Sequence, residues 1–215
     1  MNTHDALWAV GGPVVGGAAA IATRLRSYGA DRVPEKGGVV LAINHFNWID
    51  IPCVGFATPR PLYFLAKVEA HRVPGLGQFI RAYGTISVRR GESDRDAVRR
   101  MREVVHNGNV LGVFVEGTRQ KSGVPGHVQP GAAMVALQEK APVVCVAIHG
   151  SQYWKPGNFA PVSMVWGEPM HFDGVARGGK GYREASLAIE RELRRLWEWL
   201  RVQHAAGRPR DVTLP

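Results

Sequence analysis

The chain reads as an α/β protein: a single domain with a central, mostly buried sheet flanked by helices, plus an N-terminal membrane-associated helix. Three observations carry that expectation. Short branched apolar runs such as Val39-Val40-Leu41-Ala42-Ile43 lack polar alternation, which suits strands buried on both faces. Segments with helical signals separate those runs, so strands and helices alternate. A length of 215 residues is enough for one substantial core and too short for two large ones.

The elements follow in order. Ala6 to Thr23 carries no charge and is followed by Arg24 and Arg26. Its glycines, Pro13 and small side chains favour a helix lying at a membrane interface over a true span or a plain core helix. Were it to span, the two arginines would hold the body on the cytoplasmic side. No basic stretch precedes it, which argues against a cleaved signal peptide. Val33-Pro34-Glu35-Lys36-Gly37-Gly38 is a turn, and residues 39–43 are the first strand. Pro52 fits the first turn of a helix. Leu62–Ala66 is a second strand, followed by Lys67 and a helix broken near Pro74-Gly75. Thr85–Val88 is a third strand. Ser93 or Asp94 caps a helix to about Val105, stopped at Asn107-Gly108-Asn109. Val110–Val115 is a strand, Gly131–Glu139 a helix, Val143–Ile148 and Val162–Trp166 strands. Residues 182–202 form an amphipathic helix with Leu187, Leu193, Leu196, Trp197 and Leu200 on its apolar stripe. The division expected is an N-terminal helix over 1–30, the main domain over 31–204 and a loose tail over 205–215.

Composition narrows the function. Apolar residues at 45% and charged residues at 21% exclude a disordered chain. A formal charge of +9 points to an anionic partner, whether nucleic acid, an anionic membrane or a phosphorylated molecule. Cys53 and Cys145 form no C-x-x-C pair, so they read as free, buried thiols in a reducing compartment, with no metal site.

In open α/β sheets, ligands bind beyond the strand ends. His45, Asp50, Lys67, Arg90, Glu116 and Arg119 all lie at or just after such ends. A histidine with an ordinary pKa near 6.5 can take a proton from a hydroxyl at neutral pH. A carboxylate on its other ring nitrogen would hold it and stabilise the imidazolium. The five-residue offset between His45 and Asp50 does not share a helix face, but a strand-to-helix turn can bring them together. Arginine grips phosphate with a planar fork of donors, and lysine acts as a point charge. Arg90 and Arg119 each follow an apolar run and lie close to a glycine, which lets the backbone approach a ligand. Glu116, at the end of a buried run, must be paired or hydrated, and could orient Arg119 or bind a hydroxyl.

These blocks resemble the glycerolipid acyltransferase family, with bacterial lysophosphatidate acyltransferases as the nearest type. Asn44-His45-Phe46-Asn47-Trp48-Ile49-Asp50 is similar to its N-H-x-S-x-x-D block. Tyr83 to Gly91 is similar to G-x-I-x-V-x-R-G, which matches Arg90 to the family arginine. Val113 to Arg119 is similar to F-P-E-G-T-R, and Ala141 to Gly150 to P-[IV]-V-P-V. The likeness covers Val33 to Ser151. Asn47, Val115, Gln120 and Cys145 depart from the family pattern, which touches the acceptor's identity and leaves the chemistry intact.

The resemblance implies that residues 31–204 form a catalytic domain. There His45 and Asp50 would be catalytic, and Lys67, Arg90, Glu116, Gly117, Thr118 and Arg119 would bind substrate. It implies transfer of a fatty acyl group from acyl-CoA or acyl carrier protein to the sn-2 hydroxyl of lysophosphatidate, with no cofactor and no metal. Glycerol-3-phosphate or a glycolipid headgroup is the alternative acceptor. The implied place is the cytoplasmic face of the cell membrane, peripheral or monotopic, against an anionic lipid surface. The rival class is a non-catalytic binder of nucleic acid or anionic surfaces; nucleic acid is not expected, because that reading leaves the His45, Asp50, Arg90 and Glu116-Arg119 grouping unexplained. Gly174 to Lys180 spells G-x-x-x-x-G-K, but Gly181 stands where a P-loop needs Ser or Thr. No G-x-S-x-G or H-E-x-x-H occurs. His149, at a strand end, reads as structural.

Overall fold

The computed structural model describes residues 8–9, 11–88 and 95–215. Among these residues seven strands form one mixed sheet: β1 (Arg26–Tyr28), β2 (Val39–Ile43), β3 (Leu62–Lys67), β4 (Ile86–Val88), β5 (Val110–Phe114), β6 (Val143–His149) and β7 (Ser163–Trp166). Their spatial order is β1-β7-β6-β2-β5-β3-β4. The pairs from β6 to β4 are parallel, with Ile43 opposite both Phe114 and Val146. β7 runs antiparallel to β6, and β1 follows β7 in parallel. The unbroken apolar runs of β2 and β6 have the expected cause: every residue of both strands is buried.

Among the described residues seven α-helices flank the sheet: α1 (Gly17–Ala22), α2 (Asp50–Ala57), α3 (Val68–Arg72), α4 (Leu76–Ala82), α5 (Arg95–His106), α6 (Gly131–Glu139) and α7 (Gly179–Ala205). Alternation along the strands sends Val40, Ala42, Val143 and Cys145 to one face and Leu41, Ile43, Val144 and Val146 to the other. The first face packs on α5, α6 and α7, and the second on α1 and α2. Burying one Leu or Ile side chain is worth about 1.5–3 kcal/mol, so both faces contribute heavily.

The helix expected after Lys67 does break at Pro74-Gly75, where Gly75 has φ +78°. The caps expected at Ser93 and Asp94 lie outside the described residues. Three expectations need correction. The N-terminal helical stretch ends at Ala22, after a π-helical turn over Gly12–Gly16, and residues 26–28 are an edge strand rather than part of a helix to residue 30. Leu187 is exposed, because its offset of six positions from Leu193 rotates it off the stripe; Ala185 and Ile189 take that place. The tail beyond Ala205 is tied down: Arg26 and Tyr28 donate to the carbonyls of Arg208 and Pro209, and Val212 and Leu214 pack on the core. The strand sense is not among the expectations: β7 and β1 run opposite to the other five strands, and the apolar pattern is the same for parallel and antiparallel strands buried on both faces.

Candidate active site at the carboxyl edge of the sheet

β2, β5, β3 and β6 are parallel, so their carboxyl ends meet at one edge. His45 lies two residues beyond β2. Its Nδ1 is 2.9 Å from Asp50 Oδ2, with both residues buried. The same oxygen accepts the backbone N–H groups of Phe46 and Asn47, each at 2.8 Å. The turn from 45 to 50 therefore wraps around one carboxylate oxygen, and Asp50 opens α2, where the helix dipole favours an anion. Carboxylate acceptance at Nδ1 fixes the tautomer with the proton there and leaves Nε2 to act as a base. Nε2 makes no hydrogen bond to a described residue. The imidazole stacks on Phe114, with ring centroids 4.1 Å apart.

The backbone of His45 is held from both sides. Its N–H donates to Glu116 Oε2 at 2.8 Å, and its carbonyl accepts from the N–H of Gln120 at 2.8 Å. The other Glu116 oxygen accepts the N–H of Gly126 at 2.7 Å. Glu116 thus ties the β2 turn to the loop after β5, instead of orienting Arg119. Burial pushes its pKa up to about 7, against the opposing pull of those two N–H donors. Gly117, with φ +71°, supplies the left-handed turn after Glu116 that few other residues adopt.

The remaining expected residues are placed as follows. Lys67 ends β3, whose neighbour is β5, and is exposed. Thr118 and Arg119 follow Gly117 and are exposed. Topology puts these three on the edge that carries His45. Arg90 lies outside the described residues.

Two asparagines hold more of the site than sequence reasoning assigned to them. Asn44 is fully buried; it accepts from the Ile148 N–H at 2.7 Å and donates to the Ile148 carbonyl at 3.0 Å. This imitates one further rung of the β2–β6 ladder beyond Ile43. Asn47 donates from Nδ2 to the carbonyls of Ser151 and Trp154, both at 3.0 Å. A polar residue directly after an all-apolar strand was the available signal for Asn44. Asn47 stood out only as a departure from the family's serine.

On the opposite sheet face, His149 is buried against His204, 4.8 Å between ring centroids, and Trp197. Burial, reinforced by His204 and Arg201, pushes its pKa down to about 4, so it is neutral at physiological pH. His204 in turn meets Ser163 Oγ at 2.9 Å.

A family model described as Acyltransferase matches residues 24–149, more than half of the chain. A 1-acyl-sn-glycerol-3-phosphate acyltransferase of Bacillus subtilis is 26% identical over 152 residues, covering 68% of this chain and 74% of that protein. One of Pseudomonas aeruginosa is 27% identical over 153 residues, covering 68% and 59%. A lyso-ornithine lipid O-acyltransferase of Pseudomonas aeruginosa is 40% identical over 76 residues, covering 35% and 29%. The crystal structure of PlsC, the 1-acyl-sn-glycerophosphate (LPA) acyltransferase of Thermotoga maritima, superposes with a TM-score of 0.69 at 23% identity. That match covers 87% of this chain and 80% of the other, and shows a common fold.

Proposed function

This chain belongs to the acyltransferase family, and from that premise we propose that it acylates the sn-2 hydroxyl of lysophosphatidate to give phosphatidate, drawing the acyl group from an acyl thioester. The names of the Bacillus and Pseudomonas relatives support that acceptor. The observation that carries the reading is the buried Asp50–His45 pair at the carboxyl edge of the sheet.

In the proposed reaction, His45 Nε2 takes the proton of the acceptor hydroxyl as its oxygen attacks the thioester carbonyl. The tetrahedral species collapses with breakage of the C–S bond. The leaving thiolate takes the proton from the imidazolium, so ester and free thiol are the products. Asp50 holds the imidazole and stabilises its charged form. General-base help of this kind is worth ~10²–10⁴-fold. Arg119, Lys67 and Arg90 would hold the phosphate and so place the hydroxyl at the ring. Gly117 and Thr118 would let the acceptor approach the backbone, and Glu116 would keep His45 in position.

The donor is acyl-CoA or acyl carrier protein. No helix among the described residues is long and apolar enough to cross a membrane. A lipid acceptor and the apolar N-terminal segment support peripheral or monotopic attachment at the cytoplasmic face of the cell membrane. The test is release of thiol and formation of phosphatidate from labelled acyl thioester and lysophosphatidate. Product should form with the native chain and vanish in His45→Ala; no turnover by the native chain with either donor would refute the reading. The 40% identity to the lyso-ornithine lipid enzyme over 76 residues favours one second reading, a lyso-lipid acceptor with another headgroup. A panel of lyso-lipids and glycerol-3-phosphate separates the two.

A further inference from the structure

Three stretches of chain, residues 11–30, 47–58 and 150–162, meet on the side of the sheet covered by α1 and α2. Trp154 Nε1 donates to the carbonyl of Ala22 at 3.0 Å, and Arg24 Nε donates to the carbonyl of Phe159 at 3.0 Å. Trp48 packs edge-on against Trp154, with centroids 5.3 Å apart. Gly16 lies so close to Phe56 that a Cβ there would fall 2.7 Å from the Phe56 Cβ.

This face has an unusual surface. Eight of the twelve large apolar side chains that are exposed among the described residues belong to these three stretches. They include Ile21 at 73% exposure, Tyr153 at 66%, Phe159 at 52% and Trp48 at 50%. Its charge is equally one-sided. Of the chain's 18 acidic residues, the three stretches contain only Asp50, which is buried, whereas Arg24 and Lys155 are exposed. An apolar, aromatic surface rimmed by cations and lacking exposed acids suits an anionic lipid surface, where Trp and Tyr settle at headgroup depth.

We propose that the β6–β7 connector, residues 150–162, and Trp48 enter the lipid interface beside the N-terminal helix, forming a second membrane contact next to the active site. The connection to the site is direct. Trp154 joins α1 through its indole, and its carbonyl receives Asn47, whose backbone N–H donates to Asp50. Membrane contact is therefore made by the same framework that holds His45, and the lyso-lipid acceptor need not leave the interface to reach it. This last point rests on the lipid-acceptor function proposed above; the surface contact does not.

The test uses Tyr153→Ser combined with Phe159→Ser in the full chain, since both side chains are exposed and outside the proposed catalytic machinery. Binding is read by co-sedimentation with vesicles of phosphatidylcholine and phosphatidylglycerol, and with phosphatidylcholine alone. Leu187→Ser, an exposed apolar residue on α7 across the sheet, is the control. The native chain should prefer anionic vesicles, the double variant should bind them roughly 10-fold more weakly, and the control should bind as the native chain does. Thermal melting should stay close to native in all three, because the Tyr153 ring, although it edges onto His149, is largely exposed. Turnover of a short-chain, monomeric acceptor should survive in the double variant, while turnover of vesicle-borne acceptor falls. Equal binding by the double variant, or an equal loss in the control, would overturn the proposal. So would a self-association of the native chain that the double variant abolishes while vesicle binding persists. Because binding is measured without turnover, absence of acyl transfer would refute the enzyme reading and leave this result standing.

Discussion

Asp50→Asn offers the sharpest test of how the site works. In the native structure one oxygen, Oδ2, accepts all three donors: His45 Nδ1 at 2.9 Å and the N–H groups of Phe46 and Asn47 at 2.8 Å. The other oxygen, Oδ1, is buried without a hydrogen-bond partner among the described residues. The asparagine carbonyl can take the place of Oδ2 and keep all three bonds. Its NH2 then occupies the Oδ1 position as a buried donor without an acceptor, which costs about 1–3 kcal/mol of stability. The turn survives while the negative charge beside the imidazole is gone. The imidazolium formed during proton transfer loses its counter-charge, so kcat should fall ~10²–10⁴-fold. Thiol release under saturating acceptor reads kcat, and urea unfolding reads stability. Asp50→Ala would strip all three donors at once and is expected to lose the fold of the turn, so it is less informative. A folded Asp50→Asn protein with kcat within about threefold of native would refute the role of the carboxylate.

Three other predictions follow from the same structure. His149 and Glu116 oppose each other in their pH dependence. The His149 pKa, lowered by burial to about 4, makes stability fall as pH drops below the ordinary value near 6.5, by about 1–2 kcal/mol after solvent screening. The Glu116 pKa, raised by burial to about 7, makes stability fall as pH rises from about 4.5 through 7, by on the order of 3 kcal/mol. Urea unfolding across pH 4–7 should therefore show, relative to the native chain, a stability that rises less with pH in His149→Gln and more with pH in Glu116→Gln, since the other shifted groups are common to both; a change of slope in the same direction in both would contradict the assignment. Arg119→Ala should raise KM for the phosphate-bearing acceptor ~10–100-fold, the worth of a charge-assisted bond, and leave KM for the thioester unchanged; a change confined to the thioester would misplace the phosphate site. Gly150→Ala should cost at least about 2 kcal/mol, because φ is +96° and a Cβ would fall 2.2 Å from the Pro161 carbonyl oxygen; an unchanged melting temperature would refute the tight approach.

The sequence by itself determined the α/β class, six of the seven strands and the approximate positions of the helices. Uninterrupted branched runs can only be buried on both faces, and glycine and proline punctuate them where the chain must turn. It also placed His45 and Glu116 at strand ends, since a polar group close behind such a run has nowhere else to be, and Asp50 in the turn that follows. Only the tertiary structure decided that β1 exists: Arg26-Ser27-Tyr28 carries no strand pattern and pairs with β7 because the tail and Trp166 cover it. It alone decided that both Glu116 oxygens serve the backbones of His45 and Gly126, and that Asn47 reaches Ser151 and Trp154, more than a hundred residues away. Local preference fixes what each segment can be. Partners far apart along the chain are chosen by the order in which strands pack, and no short window of sequence contains that order.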